Sequence, residues 1–193
     1  MATGPARLVL ASSSPRRLTL LAQIGIVPDR VTSPDIDEAP ARLELPRPYA
    51  ERMAREKLAA SPEPDCFVLA ADTVVAVGRR ILPKAENTKQ VRDCLTLLSG
   101  RRHRVLTAVA LMTPDGRRVE RLCETVVAFV RLSPAQIDAY LATGEGEGKA
   151  GGYAINGQAA SFVRFLSGSY SGVVGLPLFE TAQMLRGAGW SIP

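Results

Sequence analysis

The apolar pattern opens with a short unbroken run, Leu8-Val9-Leu10-Ala11, followed by three serines and Pro15. A run of that length bounded by turn residues reads as a buried strand. Pro15 is pre-set for a first helical turn with Ser14 as its N-cap, and Leu18, Leu21 and Ile24 continue an apolar face as far as Gly25. Pro28 to Thr32 predicts a second strand. The proline-broken acidic loop 33–40 follows, closed by Pro46 and Pro48, and a helix is expected from about Tyr49 to Leu58. The strongest strand signal is Phe67 to Val77, near-continuously apolar as in strands buried on both faces, but interrupted in its middle by Asp72 and Thr73. After Gly78 come Ile81 to Lys84 and a helix from Thr88 to Leu98, ended by Gly100. Two long strands, His103 to Met112 and Arg118 to Arg131, flank the turn Thr113-Pro114-Asp115-Gly116. Pro134 opens a helix to Leu141, and a glycine-dense segment, 144–157, leads to a short strand from Phe162 to Phe165. Gly168 to Gly172 reads as flexible, and a last helix reaches Leu185.

Strands and helices with one long antiparallel hairpin predict an α/β protein. Its sheet should be mixed and strongly curved, with flanking helices and two lobes around a central cleft. The 193 residues are read as one domain, 1–193, long enough to bury a substantial core.

Composition is that of an ordinary globular protein, 46% hydrophobic and 22% charged. No apolar run approaches the ~20 residues that cross a bilayer, and Met1 to Arg7 lacks a signal-peptide pattern. Three distant cysteines, Cys66, Cys94 and Cys123, argue against a disulfide framework or a zinc site. The expectation is a cytoplasmic protein without a membrane partner. The net charge of +5 comes from scattered arginine pairs, which weakens a nucleic-acid partner and leaves a phosphate-bearing ligand open.

A carboxylate in the middle of a buried strand costs free energy unless it is paired or binds a metal, which makes Asp72 the sharpest candidate. The competing reading ends the strand at Ala71 and makes Asp72 a turn residue. Glu38, with Asp35 and Asp37, offers loop carboxylates. Folded towards Asp72, they could hold Mg²⁺ with waters and substrate oxygens completing the shell. Arg16, Arg17, Lys57 and Lys84 supply four cations, about what a triphosphate needs, although each alone fits a solvated surface side chain. Arg16 and Arg17 oppose the dipole of the helix they begin, as expected if an anion stands before them, and Ser12 and Ser14 belong to the same anion-binding turn. Lys149 lies in a glycine-rich loop able to approach a ligand, but Gly148-Lys149-Ala150 is not a phosphate-loop signature, and a dinucleotide fold is rejected. His103, the single histidine, reads as structural.

Taken in order, Ser12 to Arg17, Glu38, Ala54 to Lys57, Ala71 to Val75, Lys84, Gly100 to Thr107 and Gly148 to Ile155 resemble the Maf family of nucleoside triphosphate pyrophosphatases over nearly the whole chain. The resemblance implies a fold similar to the inosine triphosphate pyrophosphatases. It also implies cleavage of a nucleoside triphosphate to monophosphate and pyrophosphate with a divalent cation, Mg²⁺ or Mn²⁺. Asp72 would then prepare the attacking water, Glu38 and Asp72 would hold the cation, and Arg16, Arg17, Lys57 and Lys84 would bind the phosphates. Base-selecting positions would fall on Arg16, Thr73 and Asn156. The segment Lys149 to Ile155 resembles the branch acting on dTTP and UTP. Asn156 stands where that branch usually has Gln, and Pro83-Lys84-Ala85 where Lys-Pro is usual. A nucleotide-binding regulator of division or septum formation with little turnover is the alternative, and a homodimer is left open.

Overall fold

The run Leu8–Ala11 forms β1 with all four side chains buried, and it sets the frame of the sheet. In the computed structural model, which describes residues 7–191, β1 lies between two parallel neighbours, β2 (Arg30–Thr32) and β3 (Phe67–Val77). The first crossover is α1 (Pro15–Gln23), with Pro15 at its start, Leu20 and Leu21 buried, and Gly25 ending the turn at φ 71°. The second is α2 (Pro46–Ala59), which starts three residues before the expected Tyr49. Pro46 and Pro48 sit inside its first turn, where the missing N–H groups have no helical partner to lose.

Beyond β3 the sheet turns antiparallel. The short β4 (Arg80–Leu82) folds back on the end of β3, and β5 (Lys84–Ala85) leaves the sheet. After α3 (Thr88–Leu98) come β6 (Arg102–Met112) and β7 (Arg118–Phe129), paired along their length. The helix α4 (Pro134–Leu141) starts in a capping box made by Ser133 and Gln136. Next, β8 (Lys149–Ala150) pairs with β5, and a 3-10 helix (Gln158–Phe162) leads into β9 (Val163–Ser167) on the edge of β7. Two short segments, α5 (Tyr170–Val174) and α6 (Leu178–Gly187), complete the described chain. The order β2-β1-β3-β6-β7-β9 gives the mixed sheet expected, without the strong curl.

Three local expectations are corrected. The stretch 168–172 is not a free linker: Ser169 caps α5 by accepting from Gly172 N–H, and helix begins at Tyr170. Phe162 belongs to the 3-10 turn, its ring packed on Phe129 and Tyr140. And β7 stops at Phe129, where the register shifts, two residues before Arg131.

Alternation along β3 divides the core. Val68, Ala70, Val74 and Ala76 pack with Tyr49, Met53 and Leu58 of α2 on one face. On the other, Phe67, Leu69 and Ala71 meet α1 and α6, while Val75 belongs to a separate cluster with α3, α4 and Tyr153. The long strands join these three clusters. Between them β3 has a broken edge: β1 pairs with it only as far as Ala70, and β4 takes over at Val75. Chain ends around such a break, at the carboxyl end of a parallel strand, are where ligands enter α/β sheets.

Candidate active site

The stretch of β3 that is open on one edge contains Asp72 and Thr73. The strand runs through both, so the reading of Asp72 as a turn residue fails; Asp72 is buried and pairs in register with Ala108 of β6. Lys57, in the last turn of α2, points at it across the sheet face, 2.6 Å from Asp72 Oδ1. Both side chains are almost fully buried, at 8% and 7% exposure. The same ammonium lies 2.8 Å from Glu38 Oε1, and Lys84 of β5 bonds the other Glu38 oxygen. The acidic loop has therefore folded onto Asp72, held by Tyr49 Oη donating to Glu38 O (2.7 Å). Burial raises the Glu38 carboxyl, but hydrogen bonds from Lys57 and then Lys84 outweigh it and hold the group down at about 2. Asp35 and Asp37 of the same loop do not line the cavity.

Arg16 and Arg17 project from the first turn of α1. Arg17 is buried, its Nε donating to Gly175 O (2.8 Å) and one terminal nitrogen to Ser12 Oγ (2.7 Å). Arg16 Nε reaches Val174 O (3.3 Å). Both cations thus stand at the carboxyl end of α5, which offsets their unfavourable place at the start of α1. Burial lowers both guanidinium pKa values, and nearby Asp72 draws Arg17 back upwards. Ser12 Oγ also accepts from Ser14 N–H (3.2 Å), which makes the serine turn compact. Ser14 caps α1 by position, without a side-chain bond to the helix.

These groups open onto a cavity of about 270 Å³. Ser12, Ser14, Arg16, Arg17, Glu38, Lys57, Asp72, Thr73, Lys84, Lys149 and Asn156 all line it, so the structure brings these residues together and leaves out Asp35 and Asp37. Its lining is of two kinds. One carries the carboxylates among the cations. The other is the glycine-rich segment, where Tyr153, Ala154 and Ile155 precede an exposed Asn156. Gly151, at φ 69°, lets that segment lie against β3; a Cβ there would come 2.8 Å from a Val75 methyl. Lys149 bonds Glu147 O (3.0 Å), and burial, with Arg16 nearby, lowers its pKa.

Two partnerships were not read from the sequence. Thr107, opposite Thr73 in register, bonds Gly172 O (2.8 Å) and Thr73 Oγ1 (3.1 Å), tying the cleft to α5. A hydroxyl inside the apolar run Val105 to Leu111 was the available signal. Buried His103, expected to be structural, bonds Tyr153 Oη through Nε2 (2.8 Å) behind the cavity wall. Among the described residues no three His, Cys, Asp or Glu side chains form a ready metal cluster. Asp72 and Glu38, sharing one ammonium, are nonetheless a hard oxygen donor pair of the kind Mg²⁺ uses with waters and phosphate oxygens.

Residues 7–188 match the model of the Maf-like protein family. The chain belongs to that family. Within it, the chain is 63% identical over 190 residues to a "dTTP/UTP pyrophosphatase" of Rhodospirillum rubrum, covering 97% of this chain and 90% of that one. It is 61% identical over 192 residues to the Caulobacter vibrioides protein of the same name, covering 98% and 99%. Among solved structures this Maf-like chain is similar in fold to the Ham1 protein of Staphylococcus aureus, with TM-score 0.53 at 15% identity over 94% of this chain and 98% of that one. A HAM1 protein from Coxiella burnetii gives 0.51, also at 15% identity, over 94% and 99%.

Proposed function

We propose that this protein hydrolyses dTTP and UTP to the nucleoside monophosphate and pyrophosphate. The observation that carries the reading is Asp72, buried in mid-strand and bonded to Lys57 at the charged end of the cavity. Arg16, Arg17, Lys57 and Lys84 face two carboxylates there, so the cavity favours a polyanion. Membership of the Maf-like family and relatives named for this activity agree.

Asp72 spends Oδ1 on Lys57, and Oδ2 has no protein partner among the described residues. That oxygen is the group to take a proton from water attacking the α-phosphorus in line with the departing pyrophosphate. Lys57, Lys84, Arg16 and Arg17 orient the phosphates and offset charge that moves onto the leaving oxygens. Asp72 and Glu38 would hold Mg²⁺ or Mn²⁺, which when bound neutralises phosphate charge and makes water a better nucleophile. At the neutral end, the Asn156 carboxamide offers donors and an acceptor to the edge of a base. We place the protein in the cytoplasm, in keeping with three buried unpaired cysteines and with no helix among the described residues long and apolar enough to cross a membrane.

The test is pyrophosphate release from dTTP, UTP, CTP, GTP and ATP with Mg²⁺ or Mn²⁺. The reading expects turnover of the two uracil- or thymine-bearing substrates above the others. Tight binding with no release from any nucleotide would instead support a regulator with little turnover.

A further inference from the structure

The neutral end of the cavity is carried by a turn, 154–157, that belongs to no strand or helix. Contacts from behind give it a defined place. Ala154 N–H donates to Tyr140 Oη of α4 (3.0 Å), and Gly157 N–H closes back onto Ala154 O (3.0 Å). The next residue, Gln158, donates its N–H to Glu145 Oε2 (2.8 Å). Glu145 does not line the cavity. Its carboxylate lies flat against the backbone of Gly157, where an added Cβ would fall 2.1 Å from Oε2 and 2.7 Å from Cδ. The backbone of Gly157, at φ −115°, is one that other residues adopt, so the glycine is required by Glu145 rather than by its own torsion.

We propose that Glu145 is a positioning residue for base selection. Seated under Gly157 and Gln158, its carboxylate fixes the backbone that presents Asn156 to the base, without touching substrate itself. This rests on the reading that the cavity holds a nucleoside triphosphate with its base at the neutral end. A carboxamide hydrogen bond weakens steeply outside a narrow range of distance and angle. Asn has just two side-chain torsions with which to follow a shifted backbone. A charge-assisted bond to a backbone N–H is the stronger kind available for holding such a turn. The phosphates are gripped by other elements, α1, α2 and β5, so loss of Glu145 separates base selection from turnover.

The experiment compares kcat/KM for UTP and ATP in the wild type, Glu145→Ala, Glu145→Gln, Gly157→Ala and the double variant Glu145→Ala with Gly157→Ala, alongside thermal unfolding of each. In Glu145→Ala the preference for UTP falls about tenfold through KM, with kcat held within about twofold, as for loss of a binding contact away from the reacting atoms. Glu145→Gln keeps the acceptor and the shape and retains the preference. Gly157→Ala expels the carboxylate and reproduces the loss, and the double variant is no worse than Glu145→Ala alone. Should Glu145→Ala fail to fold, Gly157→Ala carries the same comparison. An unchanged preference in the folded variants, an equal fall in kcat for both nucleotides, or losses that multiply in the double variant overturn the positioning role. A wild type that releases pyrophosphate from neither nucleotide overturns the proposed function and this role with it.

Discussion

The ring of His103 packs edge-on against Phe129 and Tyr153, with centroids 5.0 and 5.5 Å away. It is the single histidine of the chain, it is buried, and its Nδ1 has no partner among the described residues. Burial pushes its pKa down from the ordinary 6.5 to about 4. A depressed folded value means that the unfolded chain takes up the proton first. The stabilising contribution of the neutral ring is therefore complete above about pH 6.5 and is lost as pH falls through 4. An NMR titration of the one imidazole C2 proton should have its midpoint near 4, and a midpoint near 6.5 would contradict the burial. Glu38 acts in a lower window. Its carboxyl is held at about 2 against an ordinary 4.5, so its contribution is present above 4.5 and disappears towards 2.

Among the elements, the joint between α2 and β3 matters most, and Lys57 makes it. The lysine ties the end of a helix to mid-strand Asp72 and to the acidic loop through Glu38. Replacing Lys57 by Ala leaves Asp72 buried without its partner, which should cost about 3 kcal/mol in urea unfolding, since breaking a buried pair from one side is strongly destabilising. A loss below about 0.5 kcal/mol, the size expected of an ordinary surface change, would contradict the buried pair. Much at this scale was legible in the chain. The runs Leu8–Ala11 and Phe67–Val77 and the turn at 113–116 carry strong apolar and turn signals, and they appear where expected. The start of α2 was not legible, because two prolines in a first helical turn look like a loop until the helix behind them is seen. The capped start of α5 was hidden for a related reason. Its glycine and serines favour turns in isolation, and tertiary contacts to Thr107 and Thr125 decide otherwise. The site was legible as a set of residue types, most sharply in Asp72, whose place in an apolar strand needed an explanation. The sharing of Lys57 by Asp72 and Glu38, and the inward turn of Arg17, depend on contacts between segments far apart in sequence.

At the scale of the whole molecule, the long strands β3, β6 and β7 join three apolar clusters, and the cleft opens where one edge of β3 lacks a neighbour between Ala70 and Val75. That break puts two carboxylates, four converging cations and the turn that bears Asn156 around one cavity of about 270 Å³. Under the proposed function this arrangement would separate two tasks, holding the triphosphate and reading the base, with Asp72 acting on the water that attacks the α-phosphorus. Turnover of UTP in ¹⁸O-labelled water, in the wild type and in Asp72→Asn, addresses this placement most directly. Label is expected in UMP, with unlabelled pyrophosphate, from the wild type, and turnover in the variant should be lower by about a thousandfold or more, in the range of a lost general base and its charge. Label in pyrophosphate, release of inorganic phosphate instead, or near-normal turnover by Asp72→Asn would contradict that expectation.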